Sequence, residues 1–100
     1  MIVYEVNIQV PISIYNDYLI WLKDHIGKML TFKGFIKHTL YIAKSKDAND
    51  VNLCVHYYIK TIKYYDLYIQ NNSKKMRNNN VDKFINEINI SRRVLIETDI

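Results

Sequence analysis

Residues 2–10 of this chain alternate in character without interruption, and that alternation constrains the fold more than any other feature. Ile2, Tyr4, Val6, Ile8 and Val10 fall on one side, and Val3, Glu5, Asn7 and Gln9 on the other. A period of two marks a β-strand with one side in a core. The other side carries a carboxylate and two amides, groups that solvent, a second subunit or a ligand must satisfy. Because the strand starts at once, no signal peptide is expected. No apolar stretch approaches the ~20 residues of a membrane helix, so no membrane association is expected either.

One hundred residues with 49% hydrophobic and 24% charged side chains suit one globular domain spanning 1–100. Cys54 is the only cysteine. An intramolecular disulfide is therefore impossible, and a cytoplasmic bacterial protein is the simplest expectation. The net charge of +4 raises the question of a nucleic-acid partner. Ile, Asn, Lys and Tyr are all abundant, however, and all use A/T-rich codons. Coding bias accounts for the lysines without a polyanion site, which needs clustering as well as charge.

Pro11 ends the first strand, and Ser13 is a candidate cap for a helix. Tyr15, Tyr18, Leu19, Leu22, Ile26, Met29 and Leu30 then recur at helical spacing, with Gly34 as the expected stop. Phe35–Lys44 and Val51–Lys60 read as strands of a hairpin joined by the polar turn 45–50. Thr61 is a candidate cap for a second helix, whose apolar side is Tyr64, Tyr65, Tyr68 and Ile69. That helix weakens at Asn71-Asn72-Ser73. Lys74-Lys75-Met76-Arg77 is expected as a basic turn and Asn78-Asn79-Asn80 as loop. Val81–Glu87 reads as a short helix or an irregular lead-in, and Ile88–Glu97 as the fourth strand. The order β-α-β-β-α-β predicts an α+β, ferredoxin-like fold: a four-stranded antiparallel sheet with two helices on one face. Strands one and three should be central, with strand four beside strand one.

Strand parity then maps the two faces. Ile2, Tyr4, Val6, Ile8, Leu53, Val55, Tyr57, Ile59, Ile90 and Val94 are expected under the helices. Val3, Glu5, Asn7, Gln9, Asn52, Cys54, His56, Tyr58, Ser91, Arg93 and Leu95 are expected on the open face. The second strand is ambiguous, because His38 shares parity with Ile36, Leu40 and Ile42. Glu5 and Arg93 are a candidate cross-strand ion pair. Val3, Tyr58 and Leu95 among polar groups argue against a fully solvated sheet, so a homodimer through these faces is expected.

Several motifs together resemble a known family. They are Tyr4-Glu5-Val6-Asn7, Tyr18-x-x-Trp21-Leu22-x-x-His25, Gly34-Phe35, Cys54-Val55-His56-Tyr57, Met76-Arg77 and Arg92-Arg93-Val94-Leu95. The chain is similar along nearly its whole length to the bacterial domain of unknown function 4286. The resemblance implies the dimeric α/β-barrel group, in which two ferredoxin-like subunits appose their sheets. That group includes cofactor-free monooxygenases, haem-degrading enzymes and isomerases. No reaction is assigned to the family itself.

Glu5, Asn7, His56, Tyr58 and Arg93 are the candidate ligand-binding set, in a cavity between two sheets. In an active reading His56 is the base and Arg93 holds an anion. In a structural reading Glu5 and Arg93 neutralise each other, and Asn7 and His56 bond across the interface. Whether any reaction is catalysed is left open, and no cofactor is expected. Trp21 is expected to cover the core edge, with His25 bonding a backbone carbonyl. His25, His38, His56 and Cys54 lack a close ligand spacing, so no metal site is assigned. A nucleic-acid module is the weakest alternative. Strand one offers Glu5 and Asn7 where an RNA-recognition motif stacks an aromatic ring, strand three has no glycine, and Tyr58 is the only expected stacking residue.

Overall fold

The computed structural model describes residues 1–45, 47–84 and 86–100, and the side chains of all of these except 79–83. Strand β1 spans Ile2–Pro11, followed by a 3-10 turn at Ile12–Ile14 and helix α1 at Tyr15–Met29. Strands β2 (Phe35–Ala43) and β3 (Asp50–Ile59) come next, then helices α2 (Ile62–Asn71) and α3 (Ser73–Phe84), and strand β4 (Asn89–Ile96). The sheet order is β2-β3-β1-β4, antiparallel throughout. This is the expected ferredoxin-like arrangement, with β1 and β3 central.

The period-two pattern of β1 and β3 does what it predicts. Tyr4, Val10, Leu53, Val55, Tyr57 and Ile59 are each at most 2% exposed beneath the helices. From α1, Tyr18, Leu22, Ile26 and Met29 meet them at three-and-four spacing. The Tyr4 ring lies at the centre of an aromatic cluster, 5.3 Å from Tyr65, 5.9 Å from Tyr68 and 6.1 Å from Tyr57 between centroids.

The helix boundaries depart from expectation. Ser13 does not cap α1. Pro11 turns the chain, the Ile12 amide donates to the Asn49 carbonyl, and a 3-10 turn intervenes, so that apolar Ile14 takes the cap position. Thr61 does stand at the N-terminus of α2, but its side chain makes no capping bond. Helix α1 stops at Met29, before Gly34, through amides of Thr31 and Phe32 donating to the Lys28 and Met29 carbonyls. Gly34 instead makes the entry to β2, with φ of +87°.

The largest departure is 74–84. The expected basic turn and asparagine loop are helical, forming most of α3. Composition loses to packing here: Met76 and Phe84, two turns apart, both enter the core. The helix path bends at Asn72 and is held by two bonds, Ser73 Oγ to the Ile69 carbonyl and the Met76 amide to the Asn72 carbonyl. Two parts of the sequence expectation, Lys46 in the hairpin turn and Ile85 in the last lead-in, lie outside the described residues.

Candidate functional site

The uncovered face of the sheet is organised around Glu5. The antiparallel register places His56 on one side of it and Arg93 on the other. Asn7 follows two residues on along the same face, with Cys54 as its cross-strand partner. Directly opposed side chains in such a ladder start about 5 Å apart, so register alone brings this set together. Oε2 of Glu5 accepts from Arg93 Nε and, at 3.0 Å, from Asn7 Nδ2. Oε1 accepts from His56 Nε2 at 2.9 Å and from Cys54 Sγ at 3.5 Å.

Four donors fill the lone pairs a carboxylate can offer. Although Glu5 sits on the face that no helix covers, its side chain is only 6% exposed, because these neighbours close over it. The hydrogen bond from Arg93 outweighs the cost of burial, and with His56 and Asn7 it holds the Glu5 carboxyl down to about 2. Burial and the adjacent Glu5 charge push the Cys54 thiol up to about 11. Neither group can act as base or nucleophile near neutral pH. Glu5 fixes the orientation of the four side chains that donate to it. An ionised carboxylate only accepts, so Nε2 of His56 is the donor in this contact.

Tyr58 stands apart from the cluster. It pairs with Val3, its hydroxyl is 3.3 Å from Thr39 Oγ1, and the Lys37 ammonium lies 4.9 Å above its ring. Thr39, Tyr41 and Lys37 are not legible in the sequence as members of this face. A β-bulge at Ile36 resets the alternation, so Phe35 and His38 share the helix side although three residues apart. Tyr41 consequently meets the His56 ring edge-on at 5.3 Å.

Beside the Glu5 cluster the open face sinks into a hollow of about 330 Å³, walled by Asn7, Gln9, Asn52, Asn89 and Ser91. The amides hold one another in place: Gln9 Nε2 donates to Asp50 at 2.9 Å, and Asn89 Nδ2 donates to Gln9 Oε1 at 3.2 Å. The charges of Glu5 and Arg93 cancel next door. Ile8, Ala43, Leu53 and Ile90 also line the hollow, so it offers neutral amides beside apolar groups.

The histidines do not converge. His25 and His38 lie on the helix side, and His25 stacks on Trp21 at 4.6 Å between centroids. Trp21 packs against the core edge as expected. A different trio does meet: ligand atoms of Glu5, Cys54 and His56 fall within 4.8 Å of one another. An ion there would have to take the carboxylate from Arg93 and Asn7 and deprotonate a thiol whose pKa is pushed up. The donors as placed serve the carboxylate.

These shifts fix the acid limb of stability. Burial, then the Lys28 and Arg92 cations, hold the His25 imidazole down to about 4 from 6.5. A histidine with a depressed folded pKa leaves the unfolded chain binding more protons, so stability falls as pH drops from about 6.5 to about 4. A depressed carboxyl behaves likewise lower down, and the contribution of Glu5 is lost between about 4.5 and about 2. Urea midpoints measured against pH should show both steps, and His25→Gln should remove only the upper one, worth up to about 3 kcal/mol.

Comparison with known proteins gives a family and a fold. The family profile described as "Domain of unknown function (DUF4286)" matches residues 1–98. No curated protein matches the sequence. Among solved structures, a provisionally assigned antibiotic-biosynthesis monooxygenase from Deinococcus radiodurans is similar with a TM-score of 0.74 and 6% identity, covering 100% of this chain and 95% of that one. A point mutant of SnoaB, a cofactor-independent oxygenase from Streptomyces nogalater, gives 0.65 and 10% identity over 99% and 95%. Rv0793 from Mycobacterium tuberculosis gives 0.61 and 16% over 100% and 98%. At such identities the likeness is one of fold.

Proposed function

The chain belongs to the DUF4286 family, and from that premise we propose that it is a homodimer, joined through its open sheet faces, that binds a small neutral polar molecule between them. The observation that carries this reading is the amide-walled hollow of about 330 Å³ beside the saturated Glu5 cluster, both on the face no helix covers. A second copy laid on that face would bury Val3, Tyr58 and Leu95 and close the hollow into a chamber. The network around Glu5 supports this arrangement because it satisfies its charge internally, so covering it strands no ion.

The ligand set follows. Asn7, with Gln9 and Asn52, offers amide donors and acceptors to hydroxyl or amide groups of a ligand. Glu5, His56 and Arg93 flank the hollow beyond Asn7 without lining it, and Tyr58 stands further along the same face, opposite Val3. The proposed role is binding by a single-domain cytoplasmic bacterial protein. In an active version of this reading His56 is the base, since Glu5 and Cys54 are held out of the acid-base range. Among the described residues, no helix is long and apolar enough to cross a membrane.

Thermal denaturation with ribose, inositol and nicotinamide tests the proposal. At least one should raise Tm with saturation, and Asn52→Ala should abolish that rise while leaving the unliganded Tm within a few degrees. If none raises Tm, or the rise survives Asn52→Ala, the chamber reading fails. Co-purified nucleic acid with steeply salt-dependent affinity would replace it with the nucleic-acid reading.

A further inference from the structure

Helix α1 leaves one flank open beside the sheet's edge strand. Leu19, Lys23 and Ile26 follow one another at four-and-three spacing and so share one side of the helix. Across from them stand His38 and Leu40 of β2, on the helix side of the sheet. These five side chains wall a groove of about 320 Å³, a size that small-molecule sites have. Ile26 is buried and Leu19 and Leu40 are half-buried, so the floor is apolar. Beyond Leu40 the same side of β2 carries Ile42, 67% exposed, which prolongs the apolar strip.

Charge decides what kind of occupant fits. Lys23 and His38 border the groove, both exposed, and neither forms an ion pair among the described residues. No carboxylate lines it. The two acids of α1, Asp17 and Asp24, lie on the helix's other flank, where they share a separate hollow with Trp21 and Phe84. Asp24 is paired there with Lys28 at 3.2 Å. Lysine donates through its ammonium, and an imidazole donates through a ring N–H whether neutral or protonated. The groove therefore offers hydrocarbon beside donors, with no negative group to oppose an anion.

We propose that the α1–β2 groove binds an apolar carboxylic acid of medium chain length, its hydrocarbon on Leu19, Ile26 and Leu40 and its carboxylate against Lys23 and His38. Burial of the chain supplies most of the affinity, and the two donors select the headgroup. The groove lies across the sheet from the chamber proposed above and is independent of it.

Methyl-resolved ¹³C NMR of the protein titrated with sodium octanoate is the test, with octylammonium chloride as the probe of opposite charge. Octanoate should shift the Leu19, Ile26 and Leu40 methyl signals saturably, and octylammonium should bind at least about tenfold more weakly. Lys23→Glu, at an exposed position outside the core, should weaken octanoate by about tenfold or more. Asn52→Ala should leave the octanoate response unchanged. The absence of a saturable shift, equal affinity for the two probes, or indifference to Lys23→Glu overturns the proposal. So do shifts abolished by Asn52→Ala, which assign the acid to the chamber instead. If the same methyl signals move on dilution of the protein alone, a second copy occupies the groove and the proposal fails. The comparison of the two probes uses the wild type, so the outcome stands whether or not a variant folds.

Discussion

Glutamine in place of Glu5 is expected to raise the dissociation constant of the proposed homodimer by about 30-fold or more, about 2 kcal/mol, while each chain stays folded. The argument is one of lone pairs. Arg93, Asn7, His56 and Cys54 all donate to the two carboxylate oxygens. Glutamine keeps the shape but replaces one acceptor oxygen with a donor, so two of the four donors then face an N–H group. In the isolated chain water can satisfy them, because this face is one layer deep. In the proposed dimer it cannot, and a guanidinium without its carboxylate is left at the interface. The comparison needs concentration-dependent sedimentation of both proteins. Equal dissociation constants would remove Glu5 from the interface.

Gly34→Ala should be the most destabilising small substitution in the described structure, at about 3 kcal/mol or more and a fall in Tm of about 10 °C or more. Two costs add. The backbone sits at φ +87°, where a Cβ is disfavoured, and that Cβ would lie 2.5 Å from Tyr64 Cβ and closer still to Tyr64 Cγ. Tyr64 cannot simply swing away, because the clash reaches its first side-chain carbon, next to the α2 backbone. Meanwhile the Gly34 carbonyl holds the Lys60 amide at 2.8 Å, tying the start of β2 to the end of β3. The chain's other glycine is the control. Gly27 lies exposed within α1, and a methyl group added there would meet nothing within 4 Å, so Gly27→Ala should stabilise by about 0.5–1 kcal/mol. Thermal unfolding of the two variants should therefore shift in opposite directions.

How much of the fold and the site is readable from sequence depends on whether local pattern and packing agree. In β1 and β3 they agree completely, and parity alone places Glu5 between His56 and Arg93 and brings Asn7 and Cys54 alongside. Tyr58 falls on the expected face but outside the Glu5 network, since a one-pair step along β3 turns it toward Thr39 and Lys37. Thr39 and Tyr41 are hidden by the bulge at Ile36, whose extra residue breaks the count that parity relies on. Helix α3 is disguised because lysine and asparagine dominate its composition, while among its described side chains Met76 and Phe84 are the apolar ones that enter the core. Arg92 escapes notice for a related reason. A charged residue at a core-facing register position contradicts the binary pattern, and the fold shows why it is tolerated: Arg92 lies at the margin of the core and stays exposed.

The central claim is that the open face of the sheet is covered by a second copy of the chain. Light scattering of the wild type together with Val3→Glu tests it most directly, because Val3 lies on that face and contributes nothing to the helix-side core. The account predicts twice the 12.0 kDa chain mass for the wild type and a single chain mass for the folded variant. A wild type that runs as a single chain at micromolar concentration, or a variant that remains doubled, would contradict it.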